Sequence, residues 1–304
     1  MTNTYFIADV FTQQAFNGAQ IAVFPNAEQL NDRQMQLLAR ELNLSETVFV
    51  QPSLGHNNHR KIRIFSPTEE INFVGHPIIA TAYVLASCGE LELGPQQTDL
   101  VLEQNASVTE AAVTTENGQV TFVQYTQQVE SVVDRFAPSA QELGELLSID
   151  PETIDNRTFG VRLVAAGSLY LIVPVYEYET VRAARFNYNA WAHSTAPQTS
   201  AQEILLFSGR NPNSDANFNV RLLGPNIGLQ DDPPVGSAMP AFAAYLASHE
   251  HIQTGTHSFA VDRGDNQTRR SVLNLEMDHQ GKPLLTIRVG GEAVMVAEGQ
   301  IQTP

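Results

Sequence analysis

Short runs dense in Val, Ile, Leu, Phe and Tyr recur along the chain, separated by Gly, Pro and Asn. They are TYFIADVF, IAVFP, TVFVQP, KIRIFSP, QVTFVQY, LYLIVPVY, ILLFSG, FNVRLLGP, LLTIRVGG and AVMVAEGQI. β-branched and aromatic side chains suit a pleated surface, and turn formers bound each run, so the pattern predicts strands. Helical patterning is rarer. In NDRQMQLLARELN, Met35, Leu37, Leu38 and Leu42 recur at near-helical spacing behind Asn31, a suitable N-cap. The segments PIIATAYVLASCGE, with Gly89 as its stop, SAQELGELLSI and SAMPAFAAYLASHE also predict helices. The second and fourth of these helices are apolar nearly all round, which places them inside a fold and not on its surface. Two buried helices among many strands predict an α+β protein with two sheets, each wrapped around a central apolar helix.

The halves repeat one another. Arg63-Ile-Phe-Ser-Pro67 reads like Arg221-Leu-Leu-Gly-Pro225, and Gly75-His76 opens one apolar helix as Gly236-Ser237 opens the other. From those glycines, Ala80, Ala82, Leu85 and Ala86 align with Ala241, Ala243, Leu246 and Ala247. The offset, 158 at the arginines and 161 at the glycines, is about half the chain. Duplication into two similar domains follows, with the join between residues 110 and 130. The tract PQQTDLVLEQNASVTEAAVTTENGQ in that region is polar and is predicted to be strands and turns.

Composition narrows the function. Of 304 residues, 42% are hydrophobic and 16% charged, enough apolar material for a sizeable core. The net charge of −16 repels phosphate backbones and anionic lipid heads, so neither nucleic acid nor a membrane surface is an expected partner. Cys88 is the single cysteine, which excludes an internal disulfide and any mechanism needing two thiols. The opening MTNTYFIADVF has neither a basic leader nor an apolar core of signal-peptide type, and no apolar run reaches about 18 residues. A soluble, cytoplasmic protein is expected. Walker A, G-x-G-x-x-G, G-x-S-x-G and H-E-x-x-H are all missing, so no nucleotide, nicotinamide or metal cofactor is expected.

Candidate chemistry gathers at the two glycine-led helices. Free N–H groups at a helix start, with the positive end of the dipole, suit an anion such as a carboxylate. Ordinary capping by His76 and Ser237 is the alternative. Asp231 and Asp232 precede the second helix in LQDDPPVGSAM. Glu46, in LNLSETVFV, lies beside Val48 and Phe49, where partial desolvation raises a carboxyl toward the range of a proton shuttle. A solvated glutamate at a helix–strand turn is the plainer reading. His56 and His59 in SLGHNNHR have metal-ligand character but suit a polar surface loop, and His251 and His257 are expected to face solvent.

Taken in order, five segments resemble the phenazine biosynthesis PhzF-like isomerase family, which has the diaminopimelate epimerase-like fold. They are VFTQQAFNGAQIAVF, RELNLSETVFV, RIFSPTEEINFVGHPIIATAYVLA, RLLGPNIGLQDDPPVGSAMPAFAAYL and RVGGEAVMVAEGQI. The resemblance implies two pseudo-symmetric domains, each a β-barrel-like sheet around its central helix, with the active site in the cleft between them. Residues 1–118 form the first domain, completed by the C-terminal strand 293–304, and residues 119–292 form the second. It also implies a homodimer without metal, nucleotide or pyridoxal phosphate, isomerising a small carboxylate-bearing substrate by moving a proton between carbons, as in the family's trans-2,3-dihydro-3-hydroxyanthranilate isomerases. By position, Glu46 is the general acid–base, His76 and Gly75 hold and orient the substrate, and Asp232 assists. Gly236 and Ser237 offer N–H and hydroxyl groups to the substrate carboxylate, and Gly18 belongs to the binding set.

The chain departs from the family pattern near these residues. Gly18-Ala19-Gln20 stands where G-N-P or G-N-Q is common, Pro234-Val235 replaces Ala-Thr, Ile78-Ile79-Ala80 replaces T-L-G, and Thr268-Arg269-Arg270-Ser271 replaces G-R-P-S. Epimerase relatives that work with two thiols place them at the two helix starts, which here carry His76 and Ser237. Two other readings stay open: a small-anion binding or regulatory protein of the same fold, and a hydrolase or lyase using Ser237 with His76 and Asp232.

Overall fold

The computed structural model describes residues 2–53, 59–72, 75–105, 107–134, 136–201, 203–209, 212, 214–227, 232–265, 269–282 and 284–303. The chain divides into two compact units. Met1–Gln127 with Arg288–Pro304 form the first, and Gln128–Ile287 form the second.

In the first unit the order is β1 (Thr2–Val10), β2 (Ala19–Phe24), α1 (Asp32–Leu42), β3 (Glu46–Pro52), β4 (His59–Phe65), β5 (Glu70–Ile71), α2 (His76–Ser87), β6 (Gln97–Glu103), β7 (Val108–Glu116) and β8 (Gln119–Glu130). In the second come β9 (Val132–Asp134), α3 (Ala140–Leu147), β10 (Arg162–Ala166), β11 (Ser168–Val175), α4 (Tyr178–Ala183), α5 (Tyr188–His193), β12 (Glu203–Ser208), β13 (Phe218–Leu223), α6 (Met239–Ala247), β14 (Gly255–Arg263), β15 (Ser271–His279) and β16 (Leu284–Gly291). β17 (Ala293–Gln302) returns to the first unit and pairs antiparallel with β1.

The two ladders share one plan. Along β17–β1–β2–β3–β4–β6–β7 the pairings run antiparallel, antiparallel, parallel, antiparallel, parallel, antiparallel. The same six senses run along β9–β10–β11–β12–β13–β14–β15. A parallel pair needs a crossover, and helices supply it. α1 joins β2 to β3, and α4 with α5 joins β11 to β12. α2 lies between β4 and β6, and α6 between β13 and β14.

The crossovers α2 and α6 are the apolar helices of the sequence. Every residue of α2 except Tyr83 and Ser87 is buried, and so is every residue of α6 except Ala247. α2 packs on β1, β2, β3, β7 and β17, whereas α6 packs on β10, β11 and β15. Burying Ile78, Ile79, Val84 and Leu85 stabilises the first unit by about 2 kcal/mol per side chain. Around α6, Phe242 meets Phe207 and Phe218 at ring separations of 5.1 Å, each edge to face.

α1 is amphipathic, as its spacing predicts. The Asn31 side chain accepts from the Gln34 backbone N–H and the Gln34 side chain accepts from the Asn31 N–H. Its buried Met35, Leu38 and Ala39 pack with Phe24, Phe49 and Phe65. α3 uses the same device, with Ser139 and Glu142.

The unit boundary differs from the one expected at 118/119. Asn117 and Gly118 have φ of 53° and 77°, the left-handed pair of a tight hairpin turn, and they join β7 to β8 within one ladder. The change of unit comes later, after Gln127, and the return comes at Arg288 instead of 293. No helix among the described residues is long and apolar enough to cross a membrane.

Candidate active site

In the first unit, β2 and β3 run parallel with Ile21 opposite Glu46, which fixes where β3 begins. Glu46 is its first residue. His76 is the first residue of α2, and it is 2% exposed. Its Nε2 donates to Glu46 Oε2 at 2.7 Å. The Glu46 side chain keeps 14% of its surface open, so the pair is shielded but reachable.

Burial is the largest single influence on the Glu46 carboxyl and pushes it up. The charge of His76, its hydrogen bond and the Ser45 hydroxyl together outweigh that, and the carboxyl lies below its ordinary value. The expected raised carboxyl is therefore corrected: Val48 and Phe49 are buried as expected, but the imidazole decides the direction.

Neither glycine-led helix is capped by a side chain. Gly75 precedes α2 in an extended conformation, and Ile78 N–H bonds back to the Gly75 carbonyl at 3.0 Å. Gly236–Ala238 form a short 3-10 turn leading into α6, again without a side-chain cap.

Gly18 has a structural requirement of its own. At φ 69° a Cβ on it would lie 2.2 Å from the Val10 carbonyl oxygen, so the turn between β1 and β2 admits glycine alone. In the same turn the buried Asp9 carboxylate accepts the Phe16 N–H at 2.6 Å.

In the second unit, Ser237 is half-buried and bears on the hydroxyl of Tyr170, as do Glu203 and Ser168. Tyr170 is 2% exposed and pairs with Glu203 across the parallel β11–β12 ladder. Burial first, then the Glu203 charge, pushes the Tyr170 phenol up. Burial also pushes the Glu203 carboxyl above its ordinary value, with Tyr170 opposing.

Asp232 lies in a clamp. Arg182 Nη1 donates to its Oδ2 at 2.6 Å, and Arg263 Nε lies 3.6 Å from its Oδ1. Arg263 also donates to the Pro233 carbonyl, and Arg182 to the Val220 carbonyl. These contacts pin the segment that runs into Ser237. Among the described residues, Asp232 Oδ2 is held by Arg182, while its buried Oδ1 faces Arg263 without a hydrogen bond. A hydrolase relay through His76 and Asp232 would require His76 Nε2 to leave Glu46 and Asp232 Oδ2 to leave Arg182.

His56, Asp231 and Thr268 lie outside the described residues. Among the described residues no cluster of three or more His, Cys, Asp or Glu could hold a metal. His251 is exposed and His257 half-buried.

Tyr170, Glu203, Arg182 and Arg263 were not singled out from the sequence. The repeat carried a signal for one of them. Glu203-Ile-Leu-Leu-Phe opens β12 as Glu46-Thr-Val-Phe-Val opens β3, at an offset of 157 that nearly matches the 158 to 161 of the other repeated segments.

Fold and site together define a sheet-dominated α+β enzyme built as two copies of one ladder, and the comparisons make its class that of an isomerase. The model of the family described as phenazine biosynthesis-like protein matches residues 8–299. An uncharacterised isomerase of Mesorhizobium japonicum is 32% identical, with 99% of each chain covered. The trans-2,3-dihydro-3-hydroxyanthranilate isomerase of Pseudomonas fluorescens is 27% identical over 98% of this chain and 99% of its own. Among solved structures, a Bacillus anthracis phenazine biosynthesis protein of the PhzF family superimposes with a TM-score of 0.85, covering 99% of both chains at 22% identity. A probable proline racemase of Agrobacterium radiobacter shares the fold at a TM-score of 0.65 and 14% identity, over 99% of this chain and 93% of its own. The chain belongs to the phenazine biosynthesis-like family.

Proposed function

We propose that the protein is a cofactor-independent isomerase that moves a proton between two carbons of a small, cyclic, carboxylate-bearing substrate, with Glu46 as the acid–base. The observation that carries this is the shielded 2.7 Å pair of Glu46 and His76. A carbon acid needs one base aimed at the C–H bond and surroundings that steady the delocalised anion. Glu46, held below its ordinary value, is ionised at neutral pH and can accept that proton. Once protonated it is a neutral acid beside the imidazole, able to return the proton to a second carbon. The buried His76 ring fixes which carboxyl oxygen remains to receive it.

The N–H groups of Gly236 and Ser237 and the Ser237 hydroxyl bind the substrate carboxylate, supported by the uncapped helix start. Gly75 leaves backbone open to the substrate, and Gly18 shapes the turn before β2. Asp232 positions the Pro233–Ser237 segment through Arg182 and Arg263. The substrate class follows the name of the Pseudomonas fluorescens relative, an unsaturated ring bearing a carboxylate. Val235 and Ala19, which replace polar residues of the family pattern, favour a substrate with fewer hydrogen-bonding substituents.

The test is carbon-bound proton exchange in D2O, followed by NMR, with trans-2,3-dihydro-3-hydroxyanthranilate and a panel of unsaturated cyclic carboxylates. Deuterium enters at carbon with the unaltered protein, and Glu46→Gln slows it about a thousandfold. Equal exchange in both proteins would remove Glu46 from its role. Binding without exchange by any compound in the panel would favour a small-anion binding protein.

A further inference from the structure

The repeated ladder places a second carboxylate where the first unit has its acid–base. Glu46 opens β3 and reaches the first residue of α2. Glu203 opens β12, Tyr170 lies beside it on β11, and the turn that carries Ser237 into α6 packs on that same β11. Tyr170 is opposite Glu203 in the parallel register, as Ile21 is opposite Glu46. Where the first unit has an apolar residue and a direct carboxylate–imidazole contact, the second has a phenol beside its carboxyl, on the strand against which the helix start packs.

We propose that Glu203, Tyr170 and Ser237 form a hydroxyl relay that decides whether Ser237 presents a proton or a lone pair to a bound carboxylate, with Glu203 as the positioning residue. This rests on the reading that Ser237 binds the substrate carboxylate. The phenol has one proton to give. When Glu203 carries its own proton, it donates to the Tyr170 oxygen, Tyr170 donates to Ser237 Oγ, and the Ser237 proton points outward to an anion. When Glu203 is ionised, Tyr170 donates to the carboxylate instead. Ser237 then donates inward to the Tyr170 oxygen and turns a lone pair toward the ligand, which repels a carboxylate.

The surroundings favour the protonated state. Glu203 is half-buried, and burial raises its carboxyl. Among the described residues Tyr170 is the one ionisable group that bears on it. Across β12, the facing end of β13 is Leu222 and Leu223. On α4, which packs on β12, Arg182 directs its guanidinium to Asp232 and Val220, and Glu179 is exposed. Ser168, two residues before Tyr170 on the same face, is exposed and supplies the remaining polar neighbour of the phenol.

The experiment is calorimetric titration of the full chain with anthranilate as the carboxylate probe, from pH 5 to pH 9. For the unaltered protein, affinity falls about tenfold as pH rises through the Glu203 titration, the size expected when a hydrogen bond to a charged group reverses. In Glu203→Gln the amide donates to Tyr170 at every pH, so the decline disappears and affinity stays at its low-pH level. Tyr170→Phe breaks the relay, which weakens binding and also removes the pH dependence. A decline in Glu203→Gln equal to that of the unaltered protein overturns the relay. Ser237→Ala separates the two ideas. If it binds anthranilate as tightly as the unaltered protein, or if the unaltered protein does not bind, the carboxylate reading of Ser237 fails. If it weakens binding about tenfold while Glu203→Gln changes nothing, only the relay fails.

Discussion

Glu46 and Glu203 stand at the same place in two copies of one ladder, each the first residue of the strand that follows the first helical crossover. Both are shielded, and for both burial is the largest influence, pushing the carboxyl up. Their final directions are opposite. Glu46 meets an imidazole that can carry charge, and it ends below its ordinary value. Glu203 meets a phenol whose ionised form is itself disfavoured by burial, and it ends above. Position came with the scaffold, whereas the direction of each carboxyl turned on whether its neighbours outweigh burial, as His76 does at Glu46 and Tyr170 does not at Glu203.

The largest effect that tests this comparison concerns the shared scaffold. Leu85 in α2 and Leu246 in α6 are fully buried and occupy aligned positions. Leu85→Ala and Leu246→Ala are each expected to cost about 3 kcal/mol in denaturant unfolding. Costs differing by more than about 2 kcal/mol would show that the two cores are not packed alike, since the cost of an equal truncation grows with the cavity it leaves.

Next comes the partner side chain. His76→Asn removes the charge and the ring that bring Glu46 down. It is expected to slow turnover about a hundredfold through lost orientation. It also lets burial dominate, so the acid limb of the kcat/KM profile moves to higher pH. An unmoved limb with a slower rate would show that His76 positions substrate without tuning Glu46.

The smallest effect is on stability against pH, and its sign differs between the units. Glu46 lies below its ordinary value in the folded state, so its stabilisation is complete above the unfolded carboxyl's value and is lost as pH falls through the folded one. Glu203 lies above its ordinary value. Its proton stabilises the fold below the unfolded value, and that contribution is lost as pH rises through the folded one. Glu46→Gln should flatten the acid side of a plot of denaturant midpoint against pH, and Glu203→Gln the neutral side. Identical slopes in the two variants would mean that the carboxyls share one environment after all.

Much of this architecture was legible in the residues. The short apolar runs became β1–β4, β8, β11–β13, β16 and β17, the Asn31 cap became a capping box, and the all-apolar helices became α2 and α6. β10, β14 and β15 were not among the predicted runs. RLVAA is short, and both GTHSFAVDR and SVLNLEMDH interleave charged and polar residues that the ladder tolerates on one face. α4 and α5 were missed because six residues carry too little periodicity, although Val181 and Trp191 anchor them in a core with Leu143 and Leu147. Glu46 and His76 were found as separate residues, and their contact required the fold. The direction of the Glu46 carboxyl could not be read from Val48 and Phe49, because the deciding group is 30 residues away in sequence. Tyr170 stayed hidden for a similar reason, as Ser237, one of the groups that bear on its phenol, is more than 60 residues away.

The antiparallel pairing of β17 with β1, in which Thr2 faces Gln302, has a consequence for how the protein is made. A ribosome releases residues 128–287 complete while the first unit still lacks a strand. During that interval the outer edge of β1 is unpaired, and an unpaired edge recruits whatever strand is nearby. Domains usually finish in the order of synthesis. Here the order is inverted: the segment that emerges first is the last to close, and it matures only when a strand about 290 residues downstream comes back to seal it.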